Sequence, residues 1–162
     1  MIKQYNRDFA LEYARRWAFD RNPNFYNFDA LGGDCTNFVS QCLYSGSLVM
    51  NFTPVLGWYY NSPNDRTPSW TGVKFLMNFL SSNKGLGPIA VQTDYHGVSV
   101  GDVIFLGNEN SNFYHSLFIS DVKNGKIFVA SHTVDSFNRP LDDYFIRKIK
   151  FFHILGVNTP SG

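Results

Sequence analysis

A cysteine at the start of a predicted helix is the residue of this chain best suited to chemistry. Cys35 follows Gly32-Gly33-Asp34, in which the glycines allow a tight turn and Asp34 can cap a helix. Apolar residues then recur at helical spacing as far as Gly46; they are Phe38, Val39, Cys42 and Leu43. A helix N-terminus presents free N–H groups and the positive end of the helix dipole, which favour a thiolate. Cys35 is therefore a candidate nucleophile.

The alternative for Cys35 is simple packing, since free cysteines are among the most buried residues of proteins. Cys42, further along the same face of the predicted helix, illustrates that use. The helix between the two cysteines separates them by roughly 10 Å, which a disulfide does not span. We expect both cysteines to be free thiols.

Two histidines fall on neighbouring strands of a predicted hairpin. Asn124-Gly125 is a strong signal for a two-residue turn between strands. Counting outward from this turn places Leu117 opposite His132, and His115 is then a diagonal neighbour of His132 on the same sheet face. Such a pair suits a base and the group that orients it, with one ring taking the proton of a thiol. The same count turns Ser131 to the other face, so His132 is preferred over Ser131 as the orienting group. A bulge or a longer turn would reverse this preference.

The composition of the chain excludes several classes of function. Its 162 residues amount to about one domain, and 44% hydrophobic residues suffice for an ordinary core. A formal net charge of +1 indicates no nucleic-acid partner. The chain has no apolar run of about 18 residues that would span a membrane, and its N-terminus lacks the apolar core of a signal peptide. It carries no motif for zinc or nucleotides, so we expect neither a metal nor an organic cofactor.

The predicted elements are helices first and strands second, an order typical of an α+β fold. A first amphipathic helix runs from its cap Asn6 to about Phe19, and Ser69 is expected to cap a third helix. Four later stretches have strand-like patterns; they are residues 103–106, 114–122, 126–132 and 146–155. Residues 1–157 are expected to form one domain, and residues 158–162 to begin a linker.

A long irregular insert, residues 47–68, separates the second and third predicted helices. It contains several prolines and three consecutive aromatic residues, Trp58, Tyr59 and Tyr60. An irregular insert of this length with many large rings is typical of a functional loop rather than a disordered one. These three rings are expected either to line a substrate groove or to pack in the core.

Residues 33–43, Gly-Asp-Cys-Thr-Asn-Phe-Val-Ser-Gln-Cys-Leu, resemble the hallmark motif of a family of bacterial amidase domains. This family falls in the papain-like group of cell-wall hydrolases, which includes CHAP and NlpC-type domains. Further matches span about residues 4–157; they include Tyr5-Asn6-Arg7, Asn22-Pro23, Gly57-Trp58, Val100-Gly101-Asp102, His115-Ser116 and His132-Thr133.

The resemblance implies a papain-like α+β fold in which N-terminal helices pack on a C-terminal antiparallel β-sheet. It implies that Cys35 is the nucleophile and His115 the base, with a third polar residue on the next strand, a position that His132 fits. The backbone N–H of Cys35 and a side chain of the preceding loop are expected to hold an oxyanion. The candidates for that side chain are Tyr26 and Asn27, and Asp34 is expected to be a cap rather than a participant.

The implied activity is that of a cysteine amidohydrolase that acts on peptidoglycan through a thioester on Cys35. Two kinds of bond fit: the amide between N-acetylmuramic acid and L-alanine, or a peptide bond of the stem or cross-bridge. The alternatives are a catalytically idle cell-wall-binding domain of the same fold and a cysteine peptidase directed at proteins. The protein would act at the bacterial cell wall, either secreted or delivered by a phage as an endolysin is, with a cell-wall-binding domain following it.

Overall fold

The computed structural model describes residues 1–161. In chain order the elements are β1 (Ile2–Lys3), α1 (Arg7–Trp17), α2 (Cys35–Ser47), β2 (Tyr60–Ser62), β3 (Asp65–Arg66), α3 (Pro68–Thr71), α4 (Val73–Ser82), β4 (Gly87–Thr93), β5 (Val103–Gly107), β6 (Phe113–Lys123), β7 (Lys126–Ser131), β8 (Ser136–Pro140) and β9 (Lys148–Asn158), with a 3₁₀ turn at Leu141–Asp143. None of the helices in this range is long and apolar enough to cross a membrane.

One antiparallel sheet organises the chain. Its strands follow the order β1-β9-β5-β6-β7-β8, and β4 also pairs with β9. Strands β2 and β3 form a separate small hairpin within the insert. The helices precede most of the sheet strands, so the chain has the α+β architecture that the order of elements predicts.

Helix α2 packs against both α1 and the sheet, and nearly all of its residues are buried. Its residues Phe38 and Leu43 join a core cluster with Phe118 of β6 and Phe152 of β9. The opposite face of the sheet carries a second apolar cluster, which includes Leu117. The centre of the sheet is therefore buried on both faces, and α2 rests on a rigid support.

Several local features form where the sequence predicts them. Asn6 caps α1 by accepting a hydrogen bond from the backbone N–H of Phe9 at 3.0 Å, and α2 begins at Cys35. Asn124 and Gly125 have positive φ angles of 53° and 74°, which a type I′ hairpin turn requires. Both cysteines are free thiols, as expected.

The third predicted helix is divided in two. Gly72 has an extended backbone, with φ −111° and ψ 128°, which ends α3 and begins α4. Ser69 does not cap this helix, because its hydroxyl donates to the carbonyl oxygen of Gly57 at 2.7 Å. The sequence pattern also misses β1, β4 and β8, which lie at edges of the sheet and lack a regular alternation of buried and exposed residues.

The end of the chain is paired with its beginning. Strand β9 extends to Asn158, and Thr159 donates its backbone N–H to the carbonyl oxygen of Met1 at 2.7 Å. These two residues are hydrogen-bonded to other parts of the fold, and the linker predicted for residues 158–162 stays a prediction. Gly162, the last residue of that predicted segment, lies outside the described residues.

A buried carboxylate joins α1 to the sheet. Asp102 precedes β5 and is fully buried; its Oδ1 accepts hydrogen bonds from Arg7 Nη1 at 2.8 Å and from the N–H of Ile154 at 2.9 Å. Its Oδ2 accepts hydrogen bonds from His153 Nδ1 at 2.7 Å and from the N–H of Ser99 at 2.8 Å. The start of α1, the turn before β5 and the middle of β9 therefore meet at one side chain.

Candidate active site

Cys35 lies in the first turn of α2. The residue is 7% exposed, and its Sγ is 3.8 Å from the hydroxyl of Thr36. The side chain of Asp34 makes no capping hydrogen bond to α2, so the N–H groups of the first turn remain uncapped. These groups and the helix dipole favour negative charge beside Cys35.

A pair of hydroxyl groups fixes the start of α2 against strand β6. Thr36 Oγ1 and Ser116 Oγ lie 2.9 Å apart, and both side chains are buried. Thr36 directly follows Cys35, and Ser116 directly follows His115. Cys35 and His115 are therefore each one residue along the chain from this contact.

The imidazole of His115 is buried and has a hydrogen-bond partner on one side. Its Nε2 lies 3.3 Å from Ser131 Oγ, which also accepts the backbone N–H of Thr133 at 3.1 Å. Burial, with a further contribution from the positive charge of Arg139, lowers the pKa of His115 to about 4. The ring is therefore neutral near pH 7, and the same shift makes it a weaker proton acceptor than an exposed histidine.

Within residues 1–161, no hydrogen bond joins Cys35 Sγ to the ring of His115. The alternation of side chains along β6 groups His115 with Leu117, whereas Ser116 faces α2. The ring of His115 accordingly lies near Tyr144, with ring centroids 6.1 Å apart. A reaction between the thiol and the imidazole therefore requires the ring of His115 to turn toward the face of the sheet on which α2 packs.

The predicted pairing of the hairpin strands is wrong beyond a β-bulge at Ser120. The register of β6 against β7 shifts at this residue, so that Ile119 pairs with Val129. A shift of one residue exchanges the two faces of a strand. As a result Ser131, rather than His132, lies on the face of the candidate base.

His132 joins α1 to α2 instead of orienting His115, which corrects its predicted role. Its Nδ1 lies 2.6 Å from Asp34 Oδ2, and its Nε2 lies 2.6 Å from the carbonyl oxygen of Trp17. Its ring stacks on Phe38 with centroids 4.1 Å apart. Both ring nitrogens thus face acceptor oxygens, and the ring ties Asp34 to the end of α1.

Asp34 is the centre of a hydrogen-bond network rather than the helix cap that the sequence predicts. It is 1% exposed, and its Oδ1 accepts hydrogen bonds from the N–H of Phe28 and from Asn37 Nδ2, both at 2.9 Å. Burial by itself raises the pKa of Asp34, but hydrogen bonds from His132, Asn37 and Phe28 outweigh it and hold this pKa below its ordinary value. The carboxylate therefore stays charged inside the protein.

Arg21 extends this network and is a residue that the sequence analysis misses. Its guanidinium pairs with Asp135 at 2.9 Å and Asp29 at 3.1 Å, and its Nε lies 3.7 Å from Asp34. Arg21 thereby ties the loop before α2 to the turn after β7. Arg21 and Asp135 are 114 positions apart, so no local spacing reveals the pair. Despite this acidic cluster, no group of three or more His, Cys, Asp or Glu side chains in the described chain could hold a metal ion.

The two loop residues predicted to assist an oxyanion lie beside the first turn of α2. Tyr26 is 44% exposed, and its carbonyl oxygen accepts a hydrogen bond from Asn37 Nδ2 at 2.9 Å. The amide oxygen of Asn27 accepts the backbone N–H of Asp29 at 2.9 Å. Neither side chain is bonded to Cys35 in the part of the chain that the structure describes, and their role toward an oxyanion stays a prediction.

The three consecutive aromatic residues of the insert have different roles. Trp58 is fully buried in the core, which is the second of the two uses expected of it. Tyr60 is 7% exposed, and its hydroxyl accepts the backbone N–H of Tyr26 at 2.8 Å. The Tyr59 hydroxyl donates to Asp65 at 3.1 Å. Tyr60 therefore also packs in the core, and Tyr59 is the one of the three that remains partly exposed.

Residues 4–155 match the family described as "Putative amidase domain". The chain belongs to this family. Membership supports an amidase-like domain, in agreement with the resemblance seen at residues 33–43.

Two proteins of Bacillus subtilis (strain 168) are similar to this amidase-family chain. "Uncharacterized protein YhbB" is 33% identical over 138 residues, which are 82% of this chain and 43% of that protein. "Uncharacterized protein YjcM" is 24% identical over 147 residues, which are 86% of this chain and 33% of that protein. The chain thus spans less than half the length of either relative. No solved structure matches the chain.

Replacing His132 with Leu is expected to lower the free energy of unfolding by about 3–5 kcal/mol, because Asp34 would keep a buried charge without its partner. Urea denaturation followed by circular dichroism measures this change. His96→Leu is the matched control, since His96 is exposed, and its effect should stay within about 0.5 kcal/mol. A loss below about 1 kcal/mol for His132→Leu would contradict the structural role.

The stability of the protein is expected to fall as the pH drops from about 6.5 toward 4. In this range the unfolded chain binds a proton on His115 that the folded chain does not bind, so the loss is about 2 kcal/mol between pH 7 and pH 5. The pKa of Asp34 lies below its ordinary value of 3.8, so the stability contributed by Asp34 is lost only at lower pH. Urea unfolding of the wild type and of His115→Gln at both pH values measures the effect, and equal pH dependence in the two proteins would contradict it.

Proposed function

We propose that this amidase-family chain is a cysteine amidohydrolase that cuts an amide bond of peptidoglycan. The observation that carries the proposal is the contact of Thr36 with Ser116, which leaves Cys35, in the uncapped first turn of α2, and His115, a neutral and buried histidine of β6, each one residue from the same hydroxyl pair. Cys35 serves as the nucleophile and His115 as the base in this proposal. The hydroxyl pair of Thr36 and Ser116 sets their backbones side by side.

The position of Ser131 selects which nitrogen of His115 acts as the base. When Nε2–H donates to Ser131 Oγ, the lone pair is on Nδ1, which is then the nitrogen that can receive a proton. Ser131 is thus a positioning residue, in the role that sequence analysis gives to His132. A neutral His115 fits the role of the base, because an imidazolium could not take the proton of the thiol.

The reaction proceeds in two balanced steps. His115 takes the proton of the Cys35 thiol as the sulfur attacks the amide carbonyl, and the uncapped N–H groups of α2 stabilise the oxyanion. The C–N bond then breaks, the leaving amine receives the proton from His115, and a thioester remains on Cys35. Water loses a proton to His115 and attacks the thioester, which releases the carboxylic acid and restores the thiol.

Peptidoglycan is proposed as the substrate because residues 33–43 resemble those of papain-like cell-wall hydrolases. The bond is either the one between N-acetylmuramic acid and L-alanine or a peptide bond of the stem or cross-bridge. Action at the bacterial cell wall follows from this substrate, whether the protein is secreted or delivered by a phage. A cell-wall-binding domain in a longer parent protein is part of the same proposal.

A catalytically idle cell-wall-binding domain is the second candidate. It is favoured by the low exposure of Cys35 and by the lack, within residues 1–161, of a hydrogen bond between its thiol and His115. A protein-directed cysteine peptidase would use the same machinery on another amide. Activity on purified walls separates these three candidates.

Replacing Cys35 with Ala is expected to abolish the release of amino groups from purified cell walls, because no other side chain would form the thioester. Cys42→Ala is the matched control and should keep the activity, since Cys42 is fully buried in the core. Mass spectrometry of the released muropeptides identifies the bond that is cut. Equal release by the wild type and Cys35→Ala, or binding without release by both, would refute the cysteine mechanism.

Replacing Ser131 with Ala is expected to lower kcat by about 10-fold or more with little change in KM, because the His115 ring loses its orienting partner. The acid limb of the pH–rate profile should also move, which a purely structural effect would not cause. Ser120→Ala is the control, since the buried hydroxyl of Ser120 has no partner in the described chain. An unchanged kcat and pH profile in Ser131→Ala would contradict its positioning role.

A further inference from the structure

A cleft of about 430 Å³ lies between the loop before α2 and the β2–β3 hairpin. One wall comes from residues 23–27 and the other from residues 60–63. The two walls are joined where the backbone N–H of Tyr26 donates to the hydroxyl of Tyr60 at 2.8 Å. A volume of this size is typical of small-molecule sites in proteins.

The cleft is attached directly to the turn that carries Cys35. Asn37, in the first turn of α2, donates from Nδ2 to the carbonyl oxygen of Tyr26 at 2.9 Å. The N–H of Phe28 donates to Asp34, the residue before Cys35. A ligand held in the cleft would therefore lie in a fixed relation to the candidate nucleophile.

No acidic or basic side chain lines the cleft. Its lining residues include Asn24, Asn27 and Asn61, and also Tyr26, which is 44% exposed. Asn61 Nδ2 donates to Asp65 at 3.1 Å and the amide oxygen of Asn27 accepts the N–H of Asp29 at 2.9 Å, so each of these two amides offers its remaining polar atoms to a ligand. Amides both donate and accept hydrogen bonds, and an exposed ring offers a flat apolar surface. An anionic ligand would lose water in such a cleft without gaining a counter-charge from the residues that line it.

We infer that this cleft is a subsite for a neutral, N-acetylated glycan, which rests on Tyr26 and hydrogen-bonds the asparagine amides. The inference rests on the proposed function and deepens it. It assigns the sugar of peptidoglycan, rather than its charged stem peptide, to the cleft formed by residues 23–27 and 60–63. Binding of the glycan there would place the attached amide along the first turn of α2.

The test uses the tetramer of N-acetylglucosamine as the probe and the Cys35→Ala protein as the host, so that no turnover occurs. Titration calorimetry is expected to show binding that Tyr26→Ala and Asn61→Ala, each added to this host, weaken by about 10-fold or more. Phe75→Ala is the matched control, since Phe75 is 52% exposed on α4, outside the cleft, and should leave binding unchanged. Circular dichroism verifies that each variant is folded.

Absence of tetramer binding, or equal affinity in the host and the two cleft variants, would overturn the subsite. Binding of a glycan-free stem peptide that is lost in the same variants would also overturn it in favour of a peptide subsite. The hydrolysis of walls by wild-type protein is measured separately. Tetramer binding without wall hydrolysis would support the subsite while refuting the proposed reaction, so the two failures are distinguishable.

Discussion

The buried carboxylate of Asp34 is the interaction on which the candidate site depends. It receives hydrogen bonds from Phe28, Asn37 and His132, and thereby joins the preceding loop, the first turn of α2 and the chain that follows β7. A buried charge is tolerated only when it is paired and hydrogen-bonded. The partners of Asp34 therefore have one favourable arrangement. Cys35 directly follows Asp34 in the chain, so this arrangement sets its position.

The same constraint explains why two cysteines of one helix differ in chemistry. Cys42 lies in the core between α2 and the sheet, and burial raises the pKa of its thiol well above the ordinary value. Cys35 lies at the uncapped end of the helix, next to Asp34 and outside the main apolar cluster. Position along one helix, rather than residue type, separates the packing cysteine from the candidate nucleophile.

Much of the fold follows from local patterns in the sequence. The cap at Asn6, the start of α2 and the turn at Asn124-Gly125 depend on a few adjacent residues, and each forms as predicted. The β-bulge at Ser120 has no such local signal, since neither a glycine nor a proline lies at or beside this residue. That single unpaired residue reverses the roles expected of Ser131 and His132.

The long-range part of the site could not be predicted from the sequence for a related reason. Arg21 meets Asp135, and Asp34 meets His132, only after the helices have packed on the sheet. The approach of Thr36 to Ser116 across α2 and β6 is likewise a tertiary contact, and the central claim is that the neighbouring thiol of Cys35 and imidazole of His115 react as a unit. The most direct measurement is the rate of iodoacetamide alkylation of each cysteine at pH 7, determined by peptide mass spectrometry in the wild type and His115→Ala. We predict that Cys35 is alkylated much faster than Cys42 and that the His115→Ala change slows it by about 10-fold or more; equal rates at Cys35 in the two proteins would contradict the account.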